Sequence, residues 1–512
     1  MATNIDDPLF LGLDLSTQGL KAVLIDEEGA PVHESAVNFD RDLPSYGTTN
    51  GAIRGPGPGE VTSPAAQRTL RITNHAYSAH SNMLARSSLP TRAVTLAAST
   101  RRSFAQLVQP RLYKKGTPPL VSPRLRLQPH NHTHTQLRNM SSSNTPALFQ
   151  PIQVGDIKLG HRVVLSPLTR IRANGEHVHG DLALEYYKQR ASVPGTLLIT
   201  EATYISPQAG GMANVPGIYN DAQIAAWKKI TDAVHEKGSY IYLQLWALGR
   251  AARPASLHEE NPDYPYVSAS PIALSTSPDD VPRALTKEEI KQYIQWYATA
   301  AANSVHKAGF DGVEIHGANG YLIDQFLQDV SNKRTDEYGG SIENRARFAL
   351  EVTEAVVAAV GQSKTAMRLS PWSLYQDMRE ENPIPTVTYL VEQYKKKYPN
   401  LAYIHVVGPG GPGSKGPDNE EDTHFVQKLW APRPVITTGG YDRESGLKVA
   451  EETGQIVGYG RAFLSNPDLP FRLQHNIKLN DPEYDSFYLP MAAKGYTTYP
   501  FSEEFLKTQP NA

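Results

Sequence analysis

Residues 312–322 read Gly-Val-Glu-Ile-His-Gly-Ala-Asn-Gly-Tyr-Leu. The stretch begins as a short apolar strand and continues into three side chains that can donate hydrogen bonds, His316, Asn319 and Tyr321. The glycines between them allow a ligand to approach the backbone closely. Such a cluster is suited to polarise and protonate a carbonyl-conjugated substrate, although His and Asn at a strand end also often bond to neighbouring backbone groups. The rest of the chain decides between these two interpretations.

The same strand pattern recurs from residue 151 onward, where short apolar runs alternate with amphipathic helix patterns. This alternation predicts parallel strands joined by right-handed crossovers. The predicted strands are Val163–Leu165, Leu197–Thr203, Tyr240–Trp246, Gly312–His316, Thr365–Leu369, Tyr403–Val407, Pro434–Thr438 and Ile456–Tyr459. Eight such strands predict an α/β fold, a (β/α)8 TIM barrel, whose active site is built at the C-terminal ends of the strands.

Local signals also mark where other elements begin. Residues Ile152–Arg162 read as a hairpin with a Gly-Asp turn, which could form an N-terminal cap that plugs the bottom of the barrel. Asp221 can cap the start of a helix, and Thr286-Lys-Glu-Glu289 has the form of a capping box. These signals indicate a barrel with well-defined helix starts.

The predicted strands end in polar residues. The ends of the seventh and eighth strands are the usual phosphate site of a barrel, where glycine amides and an arginine can hold an anion. We therefore expect a phosphorylated ligand there. Gln244 offers both a donor and an acceptor and Arg368 a fixed cation, a pair suited to the pyrimidine edge of a flavin.

Several motifs follow one another at or near these strand ends. They are Pro167-Leu-Thr169-Arg170, Gln244-Leu-Trp246, His316-Gly-Ala-Asn319-Gly-Tyr321-Leu, the stretch from Asn332 to Phe348, Arg368-Leu-Ser-Pro and Gly458-Tyr-Gly-Arg461. Together they resemble the Old Yellow Enzyme family over about residues 145–508. The resemblance implies that non-covalent FMN lies across the barrel mouth, is reduced by NADPH, and passes a hydride to the β-carbon of an activated alkene.

The resemblance also implies which residues bind FMN. Thr169 would bond to the flavin ring, Gln244 and Arg368 would hold its pyrimidine edge, and glycines with one arginine would bind its phosphate. The expected cofactor-binding residues are Pro167, Leu168, Thr169, Ala202, Gln244, Arg368, Gly439, Gly440, Gly460 and Arg461.

The resemblance assigns the opening cluster to the substrate. His316 and Asn319 would donate hydrogen bonds to its carbonyl oxygen and stabilise the developing enolate. Tyr321 would be protonated at neutral pH, because the pKa of tyrosine is ordinarily about 10, and would give its proton to the α-carbon. The aromatic positions around the substrate match Trp246, Tyr375 and Tyr488.

Composition limits the possible classes of protein. Of 512 residues, 40% are hydrophobic and 20% charged, which is typical of a globular domain, and no run of about 18 apolar residues suggests a membrane span. The absence of cysteine excludes disulfides, thiolate metal sites and cysteine nucleophiles. We expect a soluble, cytoplasmic protein with neither a metal ion nor a membrane partner.

The first part of the chain has a different character. Phe10–Asp26 reads as two apolar strands joined by a polar turn, and residues up to about 64 resemble the opening of xylulose kinases of the FGGY sugar kinase family. The catalytic half of a kinase does not follow. Residues 61–139 contain 12 basic and no acidic residues and no sustained apolar period, which predicts disorder.

Three interpretations of this basic segment are open. Its composition is typical of an organelle transit peptide, but its position is internal. Nucleic-acid binding is not expected, because the basic residues are scattered and few aromatic residues accompany them. The interpretation we favour is sequence joined upstream of a start at Met140. The predicted regions are an inactive kinase-like fragment (1–64), a disordered basic linker (65–144) and an FMN-binding barrel (145–512).

The sequence as a whole predicts an FMN-dependent enoate reductase that uses NADPH. Its expected partners are small enones, quinones or phenolic ligands, and it is expected to be a monomer or a homodimer. Two alternatives belong to other classes. A sugar kinase would depend on Asp14 to Lys21 alone, and a non-catalytic flavin-binding module would have no use for Tyr321 beside His316 and Asn319.

Overall fold

The computed structural model describes residues 145–408 and 423–509, together with the backbone of six short strands between residues 10 and 62. The chain divides into two units, residues 1–133 and 134–512. The predicted linker, residues 65–144, lies outside the described residues.

The first unit contains two small antiparallel sheets. One is formed by Phe10–Leu15, Gly19–Ile25 and Pro31–Asn38 in that order, and the other by Thr48–Thr49, Ala52–Arg54 and Val61–Thr62. The first two strands pair from Phe10 with Ile25 to Leu15 with Leu20, so the hairpin predicted for this stretch is confirmed.

The second unit is built around a closed barrel of eight parallel strands. In chain order they are β1 (Val163–Leu165), β2 (Leu197–Tyr204), β3 (Tyr240–Trp246), β4 (Gly312–Gly317), β5 (Thr365–Leu369), β6 (Ile404–Val407), β7 (Val435–Thr438) and β8 (Ile456–Tyr459). The barrel closes where β8 pairs with β1, Val457 opposite Val163. All eight predicted strands are confirmed, and none of their ends differs by more than one residue.

Helices connect the strands and extend the chain beyond β8. They are α1 (Asp181–Arg190), α2 (Asp221–Glu236), α3 (Pro254–Glu260), α4 (Lys287–Ala302), α5 (Leu322–Leu327), α6 (Ile342–Val360), α7 (Ile384–Lys397), α8 (His424–Trp430), α9 (Arg443–Thr453), α10 (Arg461–Ser465), α11 (Leu469–His475) and α12 (Glu503–Thr508). Within the described ranges, none of them has the length and apolarity needed to cross a membrane.

Side-chain caps fix the starts of α2 and α4. Thr286 Oγ1 accepts a hydrogen bond from the Glu289 amide (3.2 Å) and Glu289 accepts one from the Thr286 amide (2.8 Å), so the capping box predicted for α4 is confirmed. The cap of α2 is Asn220 rather than the predicted Asp221. Asn220 and Gln223 form the reciprocal pair, which leaves Asp221 in the first turn, where its charge favours the helix dipole.

The interior of the barrel is apolar at the end where the hairpin cap lies. The cap consists of Ile152–Val154 paired with Ile157–Leu159, as predicted. Its buried side chains pack against inward-facing residues of the barrel strands. This apolar layer comprises Val154, Ile157, Leu159, Val164, Leu197, Ile199, Tyr242, Ala366, Ala402, Tyr403, Ile436 and Ile456. The hairpin therefore closes the bottom of the barrel with a layer whose side chains carry no charge.

Substitution of Gly155, in the turn of the cap, tests how tightly the cap packs against the rest of the barrel. Its φ is +50°, and a Cβ at this position would lie 1.9 Å from the backbone oxygen of Ser363. We expect Gly155→Ala to lower the free energy of unfolding by about 2 kcal/mol or more, because the left-handed backbone and the clash both oppose a side chain. Urea unfolding provides the measurement.

Gly175→Ala is the matched control for this substitution. Gly175 is exposed and a Cβ there would have no atom within 4 Å, so its free energy of unfolding should change by less than about 0.5 kcal/mol. Equal stabilities of the two variants would contradict a tightly closed floor.

Candidate active site

Strand register places the inward-facing polar residues of four neighbouring strands in two adjacent rows. Gln244 of β3 is opposite Glu314 of β4, and Arg368 of β5 lies between His316 of β4 and His405 of β6. Because side chains alternate between the two faces of a strand, Glu314 and His316 point inward while their apolar neighbours pack outward. These side chains form a polar layer above the apolar floor.

Glu314 joins the members of this layer. Gln244 Nε2 donates a hydrogen bond to Glu314 Oε1 (2.7 Å), and His405 Nδ1 donates one to Glu314 Oε2 (2.8 Å). Burial alone would raise the pKa of Glu314, but His405, Arg368 and the hydrogen bonds outweigh it and hold the pKa below its usual range. The carboxyl group is therefore ionised at neutral pH.

Arg368 is a buried cation without an acceptor in the described part of the chain. Arg368 is only 6% exposed, and its Nε atom has no hydrogen-bond partner among the described residues. A buried guanidinium with unmet donors is costly, and a ligand that accepts hydrogen bonds removes the cost. The site is thus prepared for a group rich in carbonyl oxygens or negative charge.

His316 is held as a neutral hydrogen-bond donor. The Ala318 amide donates to His316 Nδ1 (3.4 Å), which assigns the ring proton to Nε2. Burial, and then the charge of Arg368, keep the pKa of His316 well below its usual value. His316 can therefore donate from Nε2 without becoming charged.

Asn319 has its backbone fixed and its side chain available. Its φ is +58°, a left-handed conformation that asparagine tolerates. Its amide donates to Ser370 Oγ (2.6 Å) and its carbonyl accepts from Gln376 Nε2 (2.7 Å), so the loop after β5 holds this turn. Asn319 Oδ1 is buried with no partner among the described residues. The same side chain carries two N–H donors on Nδ2, the kind of group that a carbonyl oxygen accepts from.

The next residue, Gly320, is bonded on both sides by helix α5. Its amide donates to Asp324 Oδ2 (2.8 Å), and its carbonyl accepts from Gln325 Nε2 (2.7 Å). Burial raises the pKa of Asp324 to about 7. The turn that carries Asn319 and Tyr321 is thus positioned by side chains one helical turn further along the chain.

Aromatic rings surround Tyr321. Its ring packs edge-on against Trp246 (4.7 Å between centroids) and against His316 (4.9 Å), and Tyr204 stacks on the other side of Trp246 (5.5 Å). Burial raises the pKa of Tyr321, and neighbouring Tyr375 and Tyr488 raise it further. Tyr321 is therefore a phenol, a proton carrier, at neutral pH.

The ends of β1, β7 and β8 also meet. Ser166 Oγ lies 3.2 Å from Thr438 Oγ1, which donates to the carbonyl of Gly458 (2.9 Å). A Cβ at Gly460 would lie 3.3 Å from Leu168 Cδ2. The strand ends expected to bind a phosphate therefore adjoin the strand end expected to line the flavin ring.

The remaining predicted residues also lie at these strand ends. Gly440, with φ +89°, follows β7 beside Gly439, and exposed Arg461 is the first residue of α10 after β8. Pro167 is buried and Leu168 and Thr169 are half-buried after the end of β1, while buried Ala202 lies inside β2 near its C-terminal end. Tyr375 is 44% exposed and Tyr488 is 64% exposed, so they form an open rim above Tyr321.

Sequence reasoning missed the residues that position the site. Glu314 stood inside the opening motif without an assigned role, and His405, Asp324, Gln325 and Gln376 were not singled out. One signal was present, because a carboxylate in the middle of an apolar strand must find a buried partner. Its partner His405 lies 91 residues away, and no local pattern connects the two.

The polar layer fits the flavin cofactor expected from the sequence. Gln244 uses one N–H on Glu314, which leaves its oxygen and its second N–H, while Arg368 provides donors that are not satisfied in the described residues. The pyrimidine edge of a flavin alternates carbonyl oxygens with an N–H. The free groups of the layer are complementary to that edge.

Asp324 gives the site a measurable pH dependence. Its folded-state pKa, about 7, lies above its unfolded value, so folding disfavours its ionised form. The free energy of unfolding of the wild type should fall, relative to Asp324→Asn, as pH rises from about 4 to 7, with a total on the order of 2–4 kcal/mol. Urea unfolding of both proteins across this pH range measures it.

Asp232→Asn is the control, because Asp232 is an exposed residue of α2 whose ion pair with Lys228 contributes little to stability. A difference for Asp324→Asn that does not change between pH 4 and pH 7 would contradict the assignment.

Comparison with known proteins identifies the family. Residues 147–480 match the model of the NADH:flavin oxidoreductase / NADH oxidase family. A chanoclavine-I aldehyde reductase of Penicillium roqueforti (strain FM164) is 53% identical over 365 residues, which cover 70% of this chain and 98% of that protein. An NADP-dependent oxidoreductase of Aspergillus flavus is 48% identical over 372 residues, 70% of this chain and 97% of that protein.

A solved structure agrees with these relatives. The crystal structure of Old Yellow Enzyme from Pichia sp. AKU4542 superposes with a TM-score of 0.64 at 40% identity, covering 70% of this chain and 94% of that chain. The kinase resemblance of residues 8–64 receives no support from these comparisons. The chain belongs to the NADH:flavin oxidoreductase / NADH oxidase family, of the Old Yellow Enzyme type, and it is an oxidoreductase with FMN as its non-covalent cofactor.

Proposed function

We propose that this protein is an ene-reductase, which uses NADPH to reduce the C=C bond of α,β-unsaturated carbonyl compounds. The observation that carries the proposal is the cluster of His316, Asn319 and Tyr321. A neutral imidazole donor, a side-chain amide without a partner in the described residues, and a protonated phenol are held together at the barrel mouth.

FMN would lie across the barrel mouth beside this cluster. Gln244 and Arg368 would hold its pyrimidine edge, Thr169 would bond to the ring, and Pro167, Leu168 and Ala202 would line it. Gly439, Gly440, Gly460 and Arg461 would bind the phosphate. Once reduced by NADPH, FMN would supply the hydride for the β-carbon of the alkene.

His316 and Asn319 act on the carbonyl oxygen of the substrate. His316 donates from Nε2 and Asn319 from its side-chain amide, so that negative charge developing on the oxygen meets two donors that need no rearrangement. Because His316 stays neutral, it withdraws electron density through a hydrogen bond and keeps its own proton. This pair activates the β-carbon towards hydride.

Tyr321 completes the addition. As the hydride bonds to the β-carbon, the C=C π pair moves towards the carbonyl, and the α-carbon takes a proton from the Tyr321 hydroxyl. The product is the saturated carbonyl compound. Solvent returns a proton to the phenolate, whose high pKa makes reprotonation favourable at neutral pH.

The rim indicates the kind of substrate. Tyr375 and Tyr488 are exposed beside Tyr321, and Trp246 forms the inner wall, so the site favours flat or apolar molecules next to the carbonyl group. Small enones and enals fit this description, as do quinones, and phenolic ligands fit as inhibitors. The 53% identity to an aldehyde reductase supports an unsaturated aldehyde as the first compound to assay.

Substituting Tyr321 separates the two halves of the reaction. Tyr321→Phe should leave FMN reduction by NADPH intact, while reoxidation by 2-cyclohexenone slows by about two orders of magnitude or more, because only the second half needs a proton donor. Stopped-flow absorbance at the flavin band measures each half separately.

Tyr389→Phe, on helix α7 outside the barrel mouth, is the matched control and should match the wild type in both halves. Unchanged enone reoxidation in Tyr321→Phe would remove Tyr321 from the mechanism. Preparations of the full chain that contain no FMN, and cannot be reconstituted with it, would overturn the proposed function as a whole.

We also infer that residues 145–512 form the catalytic domain by themselves. The cap, the eight strands and each residue assigned to the site lie after residue 150. A chain that begins at Met140 should therefore bind FMN and melt at the same temperature as the full chain. Localisation in the cytoplasm, the oligomeric state and the kinase-like nature of residues 1–64 stay predictions.

Thermal unfolding followed by flavin fluorescence compares the two chains. Loss of FMN, or a melting temperature several degrees lower for the chain from Met140, would show that the first 139 residues contribute to the catalytic domain.

A further inference from the structure

Glu314 occupies a place in the barrel that the proposed reaction does not use. Its side chain is fully buried, as is that of His405, and both of its carboxylate oxygens are bonded, one to Gln244 and one to His405. A carboxylate in such a place is expensive to bury, so it needs a compensating charge. Two groups near Glu314 can carry such a charge: His405, which contacts the carboxylate (2.8 Å), and Arg368 on the adjacent strand.

The net charge of the polar layer follows from the protonation states of its side chains. Glu314 is ionised and Arg368 is a cation, Gln244 is neutral, and burial lowers the pKa of both His316 and His405, which keeps the two imidazoles neutral. Tyr403, below Glu314, is a protonated phenol. The polar layer therefore holds one negative and one positive charge and is neutral overall under the flavin.

We propose that Glu314 sets the reduction potential of the bound FMN, as the counter-ion that neutralises Arg368, and that His405 holds its carboxylate in place. Glu314 is a positioning residue, because it acts on FMN through Gln244 and Arg368. The inference rests on the proposed placement of FMN over those two residues.

The direction of the effect follows from Coulomb's law. The ring of FMN gains negative charge when it is reduced, and charges near the ring change its electronics. An unbalanced Arg368 would stabilise the reduced form, and the effect is large because the layer is buried. Glu314 cancels this attraction, which lowers the potential and makes reduced FMN a stronger hydride donor.

Glu314→Gln tests the proposal in the full-length holoenzyme. The amide has the same shape, its oxygen can accept from Gln244, and its N–H2 can face His405 Nδ1, which becomes the acceptor when the imidazole proton moves to Nε2. The ratio of the affinities for reduced and oxidised FMN should increase at least tenfold. For two electrons, that ratio corresponds to a potential about 30 mV more positive.

Glu380→Gln is the matched control. Glu380 is another buried carboxylate bonded to an arginine, Arg345 (2.6 Å), but this pair lies between α6 and the start of α7 rather than inside the barrel. Its potential should equal that of the wild type. Dye-coupled reduction with xanthine oxidase measures the potentials of all three proteins without any enone turnover.

A second pair of variants decides the question if Glu314→Gln does not retain FMN. His405→Leu removes the donor to Glu314, so the carboxylate takes up a proton more easily, and the potential should rise above that of the wild type as pH falls. His405→Gln keeps an N–H donor and should follow the wild type. A potential for His405→Leu that coincides with the wild type throughout would overturn the proposal.

A further variant distinguishes failure of the role proposed for Glu314 from failure of the proposed function. Arg368→Ala should weaken FMN binding in either case. If it does, and Glu314→Gln binds FMN with an unchanged potential, the placement of FMN stands and the role of Glu314 is refuted.

Discussion

The site depends on one pair of opposite charges inside the barrel, Glu314 and Arg368. Burying an ion is costly unless it is paired and hydrogen-bonded. Glu314 accepts hydrogen bonds from side chains of β3 and β6, while Arg368 Nε has no acceptor among the described residues. Parallel register sets Gln244 beside Glu314, and it sets Arg368 between His316 and His405. The apolar floor keeps water from entering beneath these charges, so their electrostatic interaction with a ligand bound above them is only weakly screened.

Above this layer, the loop after β5 and helix α5 fix the turn that carries Asn319 and Tyr321, two of the residues assigned to the substrate. The left-handed turn at Asn319 is fixed by Ser370 and Gln376 from the loop after β5, and the following glycine is fixed from α5. Neighbouring strands thus contribute hydrogen bonds to a turn whose chemistry comes from a single stretch of sequence. Pre-organised donors of this kind need no reorganisation as charge develops, which is where an enzyme gains most from electrostatics.

Much of this fold could be predicted from the sequence, because barrel strands are short apolar runs with clear ends. All eight were predicted, with ends within one residue, and so were the cap hairpin and the capping box at Thr286. The cap of α2 was misassigned to Asp221 because two capping residues stand in succession and local pattern does not choose between them. The motif residues could be named because they are contiguous. Their supports, such as His405 for Glu314, are distant in sequence and appear only when the strands are set in register.

The hairpin cap limits the routes by which the two substrates can reach the site. Ile152–Leu159 fills the lower end of the barrel and closes that side of the polar layer. In the proposed reaction, the nicotinamide donor and the unsaturated acceptor would therefore use the same entrance beside Tyr321 and exclude one another. The proposed reaction would then alternate between them, with oxidised nucleotide released before the alkene enters, and an excess of either compound would obstruct the other.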